Sequence, residues 1–128
     1  MNNTIAAGAV MPLKPVTSIY IATEGGMRLV EATIVGAFGL HLSRRPPSPE
    51  SIANRWILTH IGSGRALAKA GSEDDARSLA ERLNALPADW DFRTPDQMSQ
   101  WPETQIAEVS ALVERYGQPF RHQPGFGV

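Results

Sequence analysis

The chain has 128 residues, enough for one domain that buries roughly two thirds of its unfolded surface and completes a core without a disulfide or a metal. It contains no cysteine, which excludes a disulfide framework, a thiolate zinc site and a cysteine nucleophile and fits a cytoplasmic protein. The net charge is −1 but unevenly spread: six cations stand against two anions from Met27 to Gly71, and ten anions against four arginines from Ser72 to Gly117.

Residues 1–15 carry no charge before Lys14, and Pro12 and Pro15 interrupt their apolar run, so they read as a flexible arm rather than a secretory signal. No apolar run approaches the ~20 residues that span a bilayer, and no membrane association is expected. Val16–Thr23 alternates, with Ile19 and Ile21 on one side and Ser18, Tyr20 and Ala22 on the other. Glu24-Gly25-Gly26 then predicts a hairpin turn. In the returning run Arg28, Val30, Ala32 and Ile34 share one side, and Leu29, Glu31, Thr33 and Val35 the other. Gly36 and Gly39 interrupt this run, so residues 27–42 are expected as one bent strand or two strands with a kink. The segment RRPPSPES, 44–51, is a loop with Arg44 and Arg45 at its entrance.

The stretch RWILTHIGSGRALAKAG, 55–71, predicts a second hairpin turning on Gly62-Ser63-Gly64. Trp56, Leu58 and His60 share one face, and Ile57, Thr59 and Ile61 the other. In the return strand Arg65, Leu67 and Lys69 oppose Ala66, Ala68 and Ala70, whose small side chains suit a closely packed helix. That helix opens at Ser72 with a capping-box shape and acids in its first turn, carries Ala76, Leu79, Ala80, Leu83 and Leu86 as one stripe, and stops at Pro87. Asp89-Trp90-Asp91-Phe92 reads as a packed turn, and Thr94-Pro95-Asp96 as the start of a short helix. A last helix runs from Pro102 to Gly117, and 118–128 reads as a C-terminal tail.

Strand runs followed by helices define an α+β domain over 16–117: a four-stranded antiparallel sheet of two hairpins, a capped helix on one face and a further C-terminal helix. The opposite sheet face is expected to stay available. No catalytic constellation emerges. His60 and Ser63 lack the G-x-S-x-G elbow and a nearby orienting acid, and the glycines fit neither a phosphate loop nor a dinucleotide fingerprint. His41, His60 and His122 lack metal-ligand spacing, and Asp89 and Asp91 read as turn acids, so neither a metal nor a cofactor is expected.

The order of four strands and a helix over 16–86, with a basic curved sheet, resembles the Whirly and transcriptional-coactivator type of single-stranded-DNA-binding fold. The patterns W-x-x-T-H-x-x-S-G, from Trp56, and L-P-x-D-W, from Leu86, resemble small accessory proteins of phages and plasmids. Two non-enzymatic functions follow as expectations. In one, Arg28, Arg44, Arg45, Arg55, Arg65 and Lys69 track phosphates on a basic sheet face and the 43–55 loop, while Tyr20 and Trp56 stack bases of single-stranded DNA or RNA. In the other, the chain is a protein-binding accessory factor, a small inhibitor or adaptor, with homodimerisation through a sheet edge or the last helix as one form of it.

Overall fold

The structure, a computed structural model, describes residues 16–23, 25–43 and 55–120. The arm 1–15, the loop bearing Arg44 and Arg45, and residues 121–128 with His122 lie outside the described residues.

The alternation seen in sequence builds the first hairpin. Strand β1 (Val16–Thr23) pairs antiparallel with β2 (Gly26–Val35), so that Tyr20 opposes Leu29 and Ile19 opposes Val30. At Gly36 the chain does not merely kink. It reverses through Gly36-Ala37 into β3 (Phe38–Leu42), with Val35 opposite Phe38. Gly36 has φ 60°, the left-handed value that a two-residue hairpin turn of type II′ demands at its first central position. A helix side chain fixes this turn: Asn84 Oδ1 accepts from Ala37 N–H at 3.0 Å and its Nδ2 donates to the Val35 carbonyl at 2.8 Å.

Strands β4 (Trp56–His60) and β5 (Arg65–Ala70) form the second hairpin, closed by residues 61–64 with Gly64 at φ 73°. The register shifts between Leu58 and Thr59, so Leu58 opposes Ala68 while Thr59 opposes Ala66. This bulge splits the three alanines: Ala68 and Ala70 face the helices, and Ala66 joins the other side of the sheet. Helix α1 (Glu73–Ala85) starts where the sequence places it. Ser72 Oγ accepts from Asp75 N–H at 3.1 Å, and Ala76, Leu79, Ala80 and Leu83 are fully buried. Burying each leucine contributes about 1.5–3 kcal/mol. A 3-10 helix (Pro95–Gln100) and α2 (Glu103–Tyr116) follow.

Gly117 then brings the chain against β5, and Gln118–Pro119 pairs with Lys69 and Ala68 as a short strand, β6. Residues 118–120 are therefore part of the fold rather than a tail, since Phe120 N–H donates to the Leu67 carbonyl at 3.0 Å. Among the described residues the sheet has six strands in sequential order, not four. The reversal at Gly36-Ala37 adds one, and β6 adds the other.

The sheet has apolar packing on both faces. On one face Phe38, Leu40, Leu58, Ala68 and Ala70 meet α1, Val109 and Val113 of α2, and Trp90 and Phe92. On the other, Ile19, Ile21, Ala32, Ile57 and Ala66 form a second buried cluster, with Phe120 packed against it. Ile21 and Ile57 belong to strands three places apart in the sheet, so they share a cluster only because the sheet curls. The curl brings β1 to the second hairpin loop, where Ala22 N–H donates to the Gly64 carbonyl at 2.8 Å. The face opposite the helices is thus filled, which corrects the expectation of an open sheet face.

Candidate functional site

Strand register assigns each anticipated binding residue to a side of the sheet. Tyr20 and Trp56 lie on the helix-bearing side, Tyr20 exposed and Trp56 half-buried against the first core. Arg65, paired with His60, stands at the far end of β4 from Trp56, four residues or about 13 Å away. Arg28, paired with Ile21, and Lys69, paired with Ile57, lie on the other side, around the second cluster. The Lys69 ammonium sits 5.8 Å from the centre of the Phe120 ring. Arg55 is exposed just before β4. The cations and rings expected on one basic face are therefore divided between two faces and both ends of β4. The causes are the alternation of side chains, which puts Arg28 out of phase with Tyr20, and the bulge in the second hairpin, which parts Lys69 from Arg65 although they stand four residues apart and were expected on one side.

The structure gathers a different set around Tyr20. Beyond the reach of the helices, Tyr20, Met27, Leu29 and Leu42 are 62%, 55%, 56% and 43% exposed, and they are the large exposed apolar residues among those described. Tyr20 opposes Leu29 and Ala22 opposes Met27, so three of these side chains, Tyr20, Leu29 and Met27, rise together from one side of the β1–β2 hairpin. Leu42 stands across a gap. The β2–β3 pairing ends at Thr33–Leu40, after which β2 follows β1 and β3 follows β4. The resulting fork is an open groove lined by Glu31, Thr33, Leu40, Leu42 and Trp56. At its base His41 is buried: its Nδ1 faces the Leu42 carbonyl at 3.3 Å, and its Nε2 accepts from Thr59 Oγ1 at 2.8 Å. Burial pushes the His41 pKa down. The alternation of β2 placed Leu29 beside Tyr20 in the sequence too, but nothing local showed that α1 would stop short of them.

His60 and Ser63 do meet, in the second hairpin loop. His60 Nε2–H donates to the Trp90 carbonyl at 2.6 Å, so Nδ1 is an acceptor for Ser63 Oγ–H at 2.9 Å and Ser63 N–H at 3.2 Å. Burial, reinforced by Arg93, pushes the imidazole pKa down against the opposing pull of the Trp90 carbonyl. A backbone carbonyl orients the ring but supplies no negative charge to stabilise an imidazolium, which a serine nucleophile's base needs. What the arrangement does is close the loop and tie it to the Asp89–Phe92 turn. His60 stacks on Phe92 with ring centres 4.0 Å apart, Phe38 meets Trp90 edge-on at 4.8 Å, and Trp90 Nε1–H donates to the Leu83 carbonyl at 3.0 Å. Beside this aromatic group lies a half-enclosed cavity of about 210 Å³ that Arg65, Leu67, Met98 and Phe120 also line. Among the described residues, no group of histidines and carboxylates could hold a metal ion, and no helix is long and apolar enough to cross a membrane.

Comparison of the chain with protein-family models, with curated proteins and with solved structures finds no match.

Proposed function

We propose that this domain is a non-enzymatic, protein-binding accessory module, of the small adaptor or inhibitor kind, that docks through the outer side of its β1–β2 hairpin. The observation that carries this reading is the exposed apolar group Tyr20, Met27 and Leu29 on one side of the hairpin, with Leu42 across the neighbouring fork. Contiguous exposed apolar surface marks interaction sites. Strand β1 strengthens the reading. Among the described residues it is the outermost strand, and VTSIYIAT holds neither a charge nor a proline. Charges, prolines and bulges are the usual protections of an edge; β1 lacks them, and although its Ala22 N–H is taken by the Gly64 carbonyl, its first residues, Val16–Ser18, pair only with β2 among the described residues and are left to accept another strand. A second copy supplies such a strand, because two uncharged β1 strands meet without like-charge repulsion.

Polyanion binding draws less support. Glu31 is the charged neighbour of the exposed rings on their own side, and Arg28 lies on the reverse. Phosphate tracking requires cations beside the stacking rings. The test is sedimentation velocity across a concentration series, with gel shifts against single-stranded DNA, duplex DNA and RNA at two salt concentrations. A concentration-dependent dimer that Tyr20→Lys disperses, without nucleic-acid shifts, is the expected result. A monomer at every concentration that retards single strands, with steep loss on adding salt, would overturn it.

A further inference from the structure

The cavity beside His60 is assembled from four parts of the chain that meet only in the folded protein. The β4–β5 hairpin supplies His60, Ser63, Arg65 and Leu67, the turn after α1 supplies Trp90 and Phe92, the 3-10 helix supplies Met98, and the segment after β6 supplies Phe120. Its walls are predominantly apolar and aromatic, with one permanent positive charge, that of Arg65. The Nε of Arg65 is out of contact with solvent and has no hydrogen-bond partner. That nitrogen, shielded from solvent, does not open onto the cavity; what Arg65 gives the cavity is a fixed positive charge in an otherwise apolar wall, which an anionic group on a ligand would neutralise.

The remaining polar groups narrow what that anionic group is. His60 is not a second cation, since burial lowers its pKa and both ring nitrogens are engaged, by the Trp90 carbonyl and by Ser63. Ser63 Oγ is occupied as well, donating to His60 and accepting from Arg65 N–H at 3.3 Å. One guanidinium therefore meets one anionic group, and arginine's fork geometry matches a carboxylate through two parallel bonds. Size fixes the rest. A cavity of about 150 Å³ holds a benzene ring, and drug-sized ligands need about 300 Å³ or more. A cavity of about 210 Å³ suits one ring or one branched chain together with its carboxylate, and is too small for a nucleotide.

We infer that this cavity is a binding site for a small apolar monocarboxylate of the arylacetic or branched-chain acid class, its carboxylate on Arg65 and its apolar body against Leu67, Trp90, Phe92 and Met98. The site lies outside the hairpin surface proposed for protein docking and does not depend on it.

Phenylacetate is a suitable probe, titrated into the full chain and followed by the Arg65 Nε–H and Trp90 indole signals in NMR spectra. Saturable shifts of both are expected, with the neutral, isosteric phenylacetamide binding about tenfold more weakly, because it lacks the charge-assisted bonds. Arg65→Met, checked for retained fold by its amide spectrum, should make acid and amide bind alike. Absence of saturable shifts, or equal binding of acid and amide by the wild-type protein, would overturn the inference, whether or not the variant folds.

Discussion

His60 shows how one side chain can be diverted from chemistry to architecture. Its Nε2–H is fixed on the Trp90 carbonyl and its Nδ1 receives Ser63, so the ring joins the hairpin loop to the turn after α1 as a neutral group. Neutrality has a cost in acid. Burial holds the pKa of both His60 and His41 below the ordinary value of 6.5, so on acidification the unfolded chain takes up protons that the native protein resists. The unfolded state binding more protons means that stability rises with pH. Stability is therefore expected to fall as the pH drops through the unfolded histidine value toward the lower folded ones. Melting temperatures of the wild-type protein should decline between about pH 7 and about pH 5, a window in which ordinary carboxylates contribute little. His60→Gln lowers stability at neutral pH by removing the stack on Phe92, yet its melting temperature should decline less over the same window. Equal pH slopes for wild type and variant would refute the assignment of a neutral native imidazole.

At the scale of elements, the ends of helices decide what the sheet becomes. Helix α2 does not end on a left-handed glycine: Gly117 has φ −177°, extended backbone open to any residue. Glycine is needed there for room. A Cβ at 117 would run into the Lys69 carbonyl oxygen and stand 3.0 Å from the Lys69 carbonyl carbon and 3.2 Å from Ala70 Cα. Gly117→Ala should therefore push α2 away from β5, break the β5–β6 pairing and cost about 1–3 kcal/mol. Urea unfolding measures the loss, and faster amide exchange at Phe120, whose N–H bonds Leu67, locates it. Such close approaches explain what could be read in advance and what could not. Helix α1 was legible because a hydroxyl cap, three acids and an unbroken stripe lie within fifteen residues of sequence. Strand β6 was not, since Gln118–Pro119 shows no alternation and becomes a strand only because α2 delivers it to β5. The reversal at Gly36 was half legible. Its glycine was visible as a break, but the Asn84 clamp that makes the break a hairpin comes from a helix nearly fifty positions later.

At the scale of the whole molecule, the curl of the sheet decides which face is buried and which is exposed. The sides of Arg28, Lys69 and Tyr20 followed from alternation alone, and β1 and β2 kept the phase read from sequence. Closure did not follow, because it depends on Ile19 and Ile21 meeting Ile57 and Ala66 across the sheet, contacts that no local pattern encodes. Once the sheet closes, the face that would have met a polyanion becomes interior, and the solvent-exposed apolar surface shifts to the back of the β1–β2 hairpin. The claim that the second cluster is a true core is open to a sharp comparison within one strand. Ile57 and Leu58 are adjacent and both about 1% exposed, but they point into opposite clusters. If the curled sheet and the helical layer form one cooperative unit, Ile57→Ala and Leu58→Ala should each destabilise the protein by about 2–5 kcal/mol, with a single unfolding transition and an unchanged denaturant slope. If the hairpin instead rests loosely on the sheet, Ile57→Ala would cost far less than Leu58→Ala, and β1 amides would exchange by local opening in the wild-type protein. The first outcome is expected, because Ile21 and Ile57 bury as completely as Leu79 and Leu83 do under the helices. A hairpin held that firmly would offer Tyr20, Met27 and Leu29 preformed to the partner proposed above, which would not have to bear the entropy of ordering them.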